Sequence, residues 1–428
     1  MGILIPLIFI LFCCLFIWRA CDGFERASDH LGRNFSEGVK GGTINAISSS
    51  IPELLTTLIA LLVLNDQDGF AIGIGTTAGS ALFNGMIIPA VCLLAVVGVS
   101  IKGVTRKSVD VSQKVILRDG LFLIFAEFVL ILTLNGKQLV LWHGVILMAV
   151  YGIYMFYMLS SMKSHGHEDD EDDEDDEDED DDDESRGFLG NVFYWLSLGP
   201  ILDLESIFIK EKHERQIEEE SWNAWPLLLT STSVIGGACW LLVKACEWLG
   251  TGNELHPTYQ FMGHELAGLG LPPLFVAVIF ASMATSVPDT IISLRDAKKG
   301  EADDAVANAL GSNIFDICFA LGFPLFLYTI IYGPIQMNEE TVKESGELRL
   351  CLLILTIAAF FVYFIGPRNS SSGVSRIQMG KFRAYILLFL YVAFITYVIG
   401  RGAGSEWASE VSAFLRFLFE YIPVIPLG

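Results

Sequence analysis

Ten stretches of this chain are apolar over lengths that suit a lipid bilayer, and this pattern limits the possible folds more than any other feature. A membrane-crossing helix takes about 20 mainly apolar residues. The segments are Ile3–Trp18, Gly42–Leu64, Phe70–Val99, Leu117–Leu134, Leu139–Ser161, Trp225–Leu249, Leu271–Leu294, Ala305–Tyr332, Leu350–Ile365 and Phe382–Ile399. In hydrocarbon every backbone polar group must be satisfied within the protein, so long apolar segments of this kind read as helices. The first lacks the basic start and small-residue cleavage site of a secretory leader. It is expected to stay as a span and to continue as helix through Cys21–Phe35.

Charge refines this picture. The chain has 50 acidic and 27 basic residues, but 17 of the acids form one unbroken run from Glu168 to Glu184, leaving 33 acids against 27 bases elsewhere. The body of the protein is therefore close to balanced and apolar, and it has no basic face with which to bind nucleic acid. The eight cysteines include no CxxC pair and mostly lie inside apolar segments, so they read as small hydrophobic residues. With the N-terminus outside, nineteen Lys and Arg fall in the loops 19–41, 100–116, 162–224, 295–304 and 366–381, and four in the outer loops. That bias predicts cytoplasmic loops on the basic side, both termini outside and the acidic run inside the cell. The tail Glu406–Ile425 mixes apolar residues with Glu410, Arg416 and Glu420, which suits an interfacial helix on the outer face.

Five spans precede the acidic insert and five follow it. An odd number makes tandem copies enter the membrane in opposite senses, the inverted-repeat plan of secondary transporters. The expected architecture is an all-α membrane protein of ten transmembrane helices in two inverted five-helix repeats. Residues 1–161 form the first repeat, 162–224 a cytoplasmic loop with the acidic run, 225–401 the second repeat and 402–428 the interfacial tail. Two motifs carry the duplication. Ser48-Ser49-Ser50-Ile51-Pro52-Glu53 in the second span is answered by Ala284-Thr285-Ser286-Val287-Pro288-Asp289 in the seventh. Ala78-Gly79-Ser80-Ala81-Leu82-Phe83-Asn84 in the third is answered by Leu310-Gly311-Ser312-Asn313-Ile314-Phe315-Asp316 in the eighth.

An acid at the centre of a span costs about 2.5–3.5 kcal/mol on insertion scales and marks a functional site by default. Glu53, Asp289 and Asp316 all lie within apolar segments that contain no nearby Lys or Arg, so a bound cation is the natural counter-charge. Proline cannot donate to the carbonyl four residues back. Pro52 and Pro288 therefore loosen the carbonyls of Ser48 and Ala284 beside two of the acids. Residues four apart share a helix face, which groups Ser49 with Glu53, Thr285 with Asp289, Ser80 with Asn84, and Ser312 with Asp316. Gly79 and Gly311 would allow close helix approach. The donors are all oxygen, as hard cations such as Ca2+ and Na+ require.

These paired elements resemble the two alpha repeats of the calcium/cation antiporter superfamily, and within it the sodium/calcium exchanger family. The Glu-then-Asp pairing and the final Asp316 are most similar to its potassium-dependent branch. Ser48 and Ala284 stand where the family usually has Gly, and Ser49 where it has Thr. The resemblance implies Glu53 and Asp289 as central Ca2+ ligands. It implies Na+ sites shaped by Ser49, Ser50, Thr285, Ser286, Ser80, Asn84 and Ser312, with Asp316 at a K+-linked position. It further implies antiport of Na+ against Ca2+ by alternating access, possible K+ co-transport with Ca2+, no cofactor, and residence in the plasma membrane among lipid, with inorganic cations as the partners. Two other readings compete. A cation/proton antiporter of the same superfamily would carry H+ on these acids, but its G-N-x-x-E elements are absent. An intramembrane aspartyl protease could pair Asp289 with Asp316, but their neighbours Pro288 and Phe315 do not match the usual Y-D and G-x-G-D settings. The acidic run is expected to be a solvated linker, with a second role as a low-affinity Ca2+ collector considered beside it. Glu127, inside the fourth span, has no motif partner.

Overall fold

A computed structural model describes residues 1–31, 46–64, 67–101, 104–163, 195, 199–218, 221–253, 256–371 and 374–423. The acidic run, the expected continuation of the first helix to Phe35 and most of the central insert lie outside these residues. The main helices are α1 Leu4–Leu31, α2 Ala46–Ser49, α3 Ile51–Leu64, α4 Gln67–Val96, α5 Gln113–Thr133, α6 Leu141–Lys163 and α7 Trp225–Gly250. The second half of the chain continues with α8 Pro273–Thr285, α9 Val287–Lys299, α10 Ala302–Tyr332, α11 Glu339–Phe364, α12 Lys381–Gly402 and α13 Glu406–Glu420. Among the described residues seven helices are long and apolar enough to cross a membrane, and α8 with α9 makes an eighth as a bent pair. The chain is thus a multi-pass, mostly helical membrane protein. The two remaining expected spans fall on the shorter α3 and on α5, whose Lys114, Arg118, Asp119 and Glu127 dilute its apolar character.

Both proline motifs interrupt their helices at the same place. The break between α2 and α3 is at Ser50, two residues before Pro52, and that between α8 and α9 is at Ser286, two residues before Pro288. Proline suits the first turn of a helix, where no backbone donor is needed, so each motif starts a new helix. The second break bends its pair by 45°. Wide π-type turns appear at Ala277–Ala281 in α8 and at Asp316–Ala320 in α10, the latter beginning at a motif acid.

Glycines bring α4 against its neighbours. A Cβ at Gly79 would lie 2.3 Å from the Val278 carbonyl oxygen, and one at Gly75 would lie 2.6 Å from that of Leu274, so α4 meets the backbone of α8. Gly311 differs from expectation. A Cβ there would meet only the Tyr154 hydroxyl at 3.5 Å, an ordinary contact.

Buried side chains separate into two main groups. The larger surrounds α4 and draws on α5, α6, α10, α11 and α12. A second joins α1 to α7, through residues such as Cys13, Ile17, Ala20 and Phe24 against Ile235, Cys239, Leu242 and Cys246. All eight cysteines are free.

Short strands tie the loops together. β1 Val109–Ser112 pairs antiparallel with β5 Val374–Met379, which also pairs with β4 Arg368–Ser371. At the opposite end of the helices β2 Gln138–Leu139 pairs with β3 Ile335–Gln336. The ninth expected span began at Leu350, but α11 begins eleven residues earlier at Glu339. The charged stretch stays helical because Glu347, 1% exposed, is fully engaged. It accepts from the Tyr397 hydroxyl, from Arg401 Nε at 3.1 Å, from Ser412 Oγ at 2.6 Å and from Arg416 Nε at 2.9 Å. Ser412 and Arg416 belong to α13, so this carboxylate docks the amphipathic tail helix onto α11 and α12.

Candidate cation site

Glu53, Asp289 and Asp316 come from three different helices and are all fully buried. One carboxylate oxygen from each lies within 4.8 Å of the others. Glu53 stands in the first turn of α3 and Asp289 in the first turn of α9, each just beyond its chain break. Asp316 opens the π turn of α10. Like charges this close repel strongly in a low-dielectric interior, and the structure surrounds them with hydroxyls and amides.

Ser80 is at the centre. Its Oγ lies 3.2 Å from Glu53 Oε1, 2.9 Å from Asp316 Oδ2 and 2.9 Å from Ser286 Oγ. One turn along α4, Asn84 Nδ2 donates to Asp289 Oδ2 at 2.8 Å, to Ser312 Oγ at 3.2 Å and to Ser80 Oγ at 3.3 Å. The pattern is reciprocal between the repeats. Ser80 bonds Asp316 while Asn84 bonds Ser312, and these are the matching positions of the two motifs. Thr285 is set against Glu53 and Ser49 against Asp289, again crossing from one repeat to the other. Ser312 also faces Asp289, and Ser50 is beside Asp316.

All ten expected site residues therefore gather in one place, but not in the pairs that helical spacing suggested. Only Ser80 with Asn84 behaves as a within-helix pair. Ser49 and Thr285 lie on the far sides of the breaks at Ser50 and Ser286, and their hydroxyls serve the acid of the other repeat.

Among the site residues, five buried oxygens have no hydrogen-bond partner: Glu53 Oε2, Asp289 Oδ1, Asp316 Oδ1, Asn84 Oδ1 and Ser50 Oγ. Buried polar atoms are nearly always satisfied, so orphaned oxygens on residues of one cluster make a set suited to a hard cation. Pro288 leaves the Ala284 carbonyl without its usual helical donor, adding backbone oxygen nearby. Two further residues were not anticipated. Asn313 Nδ2 donates to the Ala81 carbonyl at 2.9 Å and fixes α10 to α4 directly behind the site. Asn308, one turn before Ser312, donates to Ser293 Oγ at 3.0 Å and to the Asp289 carbonyl at 3.5 Å. Its four-residue spacing from Ser312 was the available signal. Glu127 accepts from Thr356 Oγ1 at 2.7 Å and stands apart from the cluster.

Comparison with known proteins gives a consistent result. The family model described as sodium/calcium exchanger protein matches residues 5–160 and 223–400. The sodium/potassium/calcium exchanger Nckx30C of Drosophila melanogaster is 32% identical over 126 residues, which cover 29% of this chain and 13% of that protein. Sodium/potassium/calcium exchanger 3 of Rattus norvegicus is 34% identical over 134 residues, 31% of this chain and 20% of that protein. The matched region thus spans a fifth or less of these relatives' lengths. In fold, the chain is similar to the crystal structure of the H+/Ca2+ exchanger CAX, with a TM-score of 0.60 at 12% identity, covering 97% of this chain and 87% of that one.

Proposed function

We propose, from the premise that this chain belongs to the sodium/calcium exchanger protein family, that it is a secondary antiporter exchanging Na+ for Ca2+, with K+ moving alongside Ca2+. The observation that carries the reading is the buried triad of Glu53, Asp289 and Asp316, with an orphaned oxygen on each. Three ionised carboxylates are neutralised by one Ca2+ with one K+, or by three Na+, and a desolvated site favours states near neutrality. The same cage can therefore hold either set of ions in turn. Glu53 and Asp289 are the central Ca2+ ligands, Asp316 the K+-linked acid, and the flanking Ser, Thr and Asn oxygens complete the Na+ positions. The family match removes the protease reading, since its members are transporters rather than enzymes.

Ten crossings in two inverted repeats are supported by the loop contacts. β1, β4 and β5 join loops assigned to the cytoplasm, whereas β2 and β3 join loops assigned outside. Arg295 meets Asp22 and Arg376 meets Asp303, again within one face. Helices α1 and α7 pack on each other and, in the same buried group, on Ala60, Ile72 and Ala281 of the motif helices; the family resemblance makes them the moving pair. The placement of both termini outside follows from the same assignment, and residence in the plasma membrane is what the family resemblance implies.

The test is radiocalcium uptake into Na+-loaded proteoliposomes, with Na+, K+ and pH gradients imposed separately. Uptake should need the Na+ gradient and rise with K+. Glu53→Gln and Asp289→Asn should abolish it, and Asp316→Asn should remove the K+ effect while leaving Ca2+ movement. Uptake driven by a pH gradient without Na+ would replace this reading with the proton antiporter.

A further inference from the structure

The two repeats are alike at the ion site but differ in what leads away from it. Four residues beyond Asp289 on α9 is Ser293, and four before Ser312 on α10 is Asn308. The corresponding positions of the first repeat are Thr57 on α3 and Thr76 on α4. In the first repeat this second step is sealed. Thr57 and Thr76 are fully buried; Thr76 spends its hydroxyl on its own helix at Ile72 O, 2.8 Å away, and Thr57 Oγ1 has no partner, so packing rather than polarity closes this step. One turn further out, a Cβ at Gly73 would lie 2.8 Å from the Thr57 methyl, and one at Gly69 would lie 2.4 Å from Ala60 O. Helices α3 and α4 are thus in backbone contact, with no room for an ion between them.

In the second repeat the same step carries an amide, and neither helix has a glycine there. Ser293 is fully buried and accepts from Asn308 Nδ2, while Asn308 Oδ1 is a buried acceptor without a partner. Exposure then rises step by step away from the site. Asp289 and Ser293 are buried, Asn308 and Asp296 half-buried, and Asp304 exposed. Asp296, Glu301 and Asp304 lie near one another at the end of this row, where α9 turns into α10.

We infer that Asn308, held by Ser293, is the inner gate residue of the ion path. Its Oδ1 is the first ligand a cation meets on leaving the triad towards the 295–304 loop, and the path through the first repeat is shut in this conformation. The inference rests on the exchange reading above and adds the residue that governs access from one side. An amide oxygen suits this position because it binds a hard cation without a full charge to hold it there.

Sided transport and sided labelling test the inference. In proteoliposomes of known orientation, Asn308→Leu keeps the size and removes the oxygen. It should raise the half-saturating Ca2+ about tenfold on the 295–304 face, the effect of one lost ion contact of about 1.4 kcal/mol. On the opposite face it should leave the value within about twofold. Asn308→Asp, which retains an oxygen, should stay within about threefold of the parent on both faces. Equal shifts on both faces, or none on either, would overturn the assignment in favour of simple packing. Labelling does not depend on flux. Asn308→Cys should react with a membrane-impermeant methanethiosulfonate added on the 295–304 side, more slowly with Ca2+ present, and Thr76→Cys should not react from that side. An unreactive Asn308→Cys, or one modified from the other face, refutes the path. A parent protein with no Na+-driven uptake refutes the exchange reading instead, and the labelling still decides the path.

Discussion

Ser80 has one hydroxyl hydrogen and two carboxylates within reach, Glu53 at 3.2 Å and Asp316 at 2.9 Å. It can donate to only one at a time, while its lone pairs face Asn84 Nδ2 and Ser286 Oγ. This residue therefore links Glu53 to Asp316, the acids proposed above to hold Ca2+ and K+. Ser80→Ala should weaken both ion sets together. A hydrogen bond to a charged group contributes about 1.5–3 kcal/mol, so half-saturating Na+ and Ca2+ should each rise by about tenfold or more, read from concentration dependence of uptake. A change confined to one ion would show that Ser80 serves a single acid. Glu53, Asp289 and Asp316 were legible in the sequence because acids in apolar segments are costly unless something visits them. Asn308 was not, because a single amide in an alanine-rich turn looks like any other polar residue until Ser293 is placed opposite.

At the scale of elements, α4 is the axis on which the site is assembled, and its glycines set the spacing. Gly79→Ala would push a methyl against the Val278 carbonyl and Ser282, 2.3 Å and 2.7 Å away. Overpacking of this kind costs about 1–3 kcal/mol, and the displaced α8 carries Thr285. Thermal unfolding in detergent should show a clear loss for Gly79→Ala and none for Gly311→Ala. Similar losses for both would mean that the repeats pack alike. The motif alignment makes the two glycines look equivalent, and only the packing separates them: Gly79 faces backbone and Gly311 faces the end of a tyrosine. The crossed hydroxyls have a similar origin. The four-residue rule holds along an unbroken helix, and both motifs are broken between the hydroxyl and the acid.

For the whole molecule, the strand pairings and ion pairs named above join loops of the described residues within one or other of the faces assigned from charge. A cysteine introduced at Lys137, beside β2, should react with impermeant reagent from outside the cell, and one at Arg368, in β4, only from the cytoplasm. Reaction of both from one face would remove the inverted arrangement of ten crossings. Composition could reach this level because basic residues gather on one side of a membrane, a bias spread along the chain and visible without coordinates. The tail is amphipathic enough to lie on lipid, but its Arg416 and Ser412 are turned inward to Glu347. The same carboxylate explains why α11 extends through residues that look too charged for a span.

The residue types and their duplication were enough to determine a multi-pass membrane protein with buried acids and hydroxyls drawn from two copies of one motif. Each of these follows from the cost of burying charge in lipid, which is local to the chain. Tertiary structure decided which hydroxyl lies by which acid and which glycine meets the backbone of a neighbouring helix. Those depend on how broken helices from opposite repeats meet, and no spacing along a single helix records that.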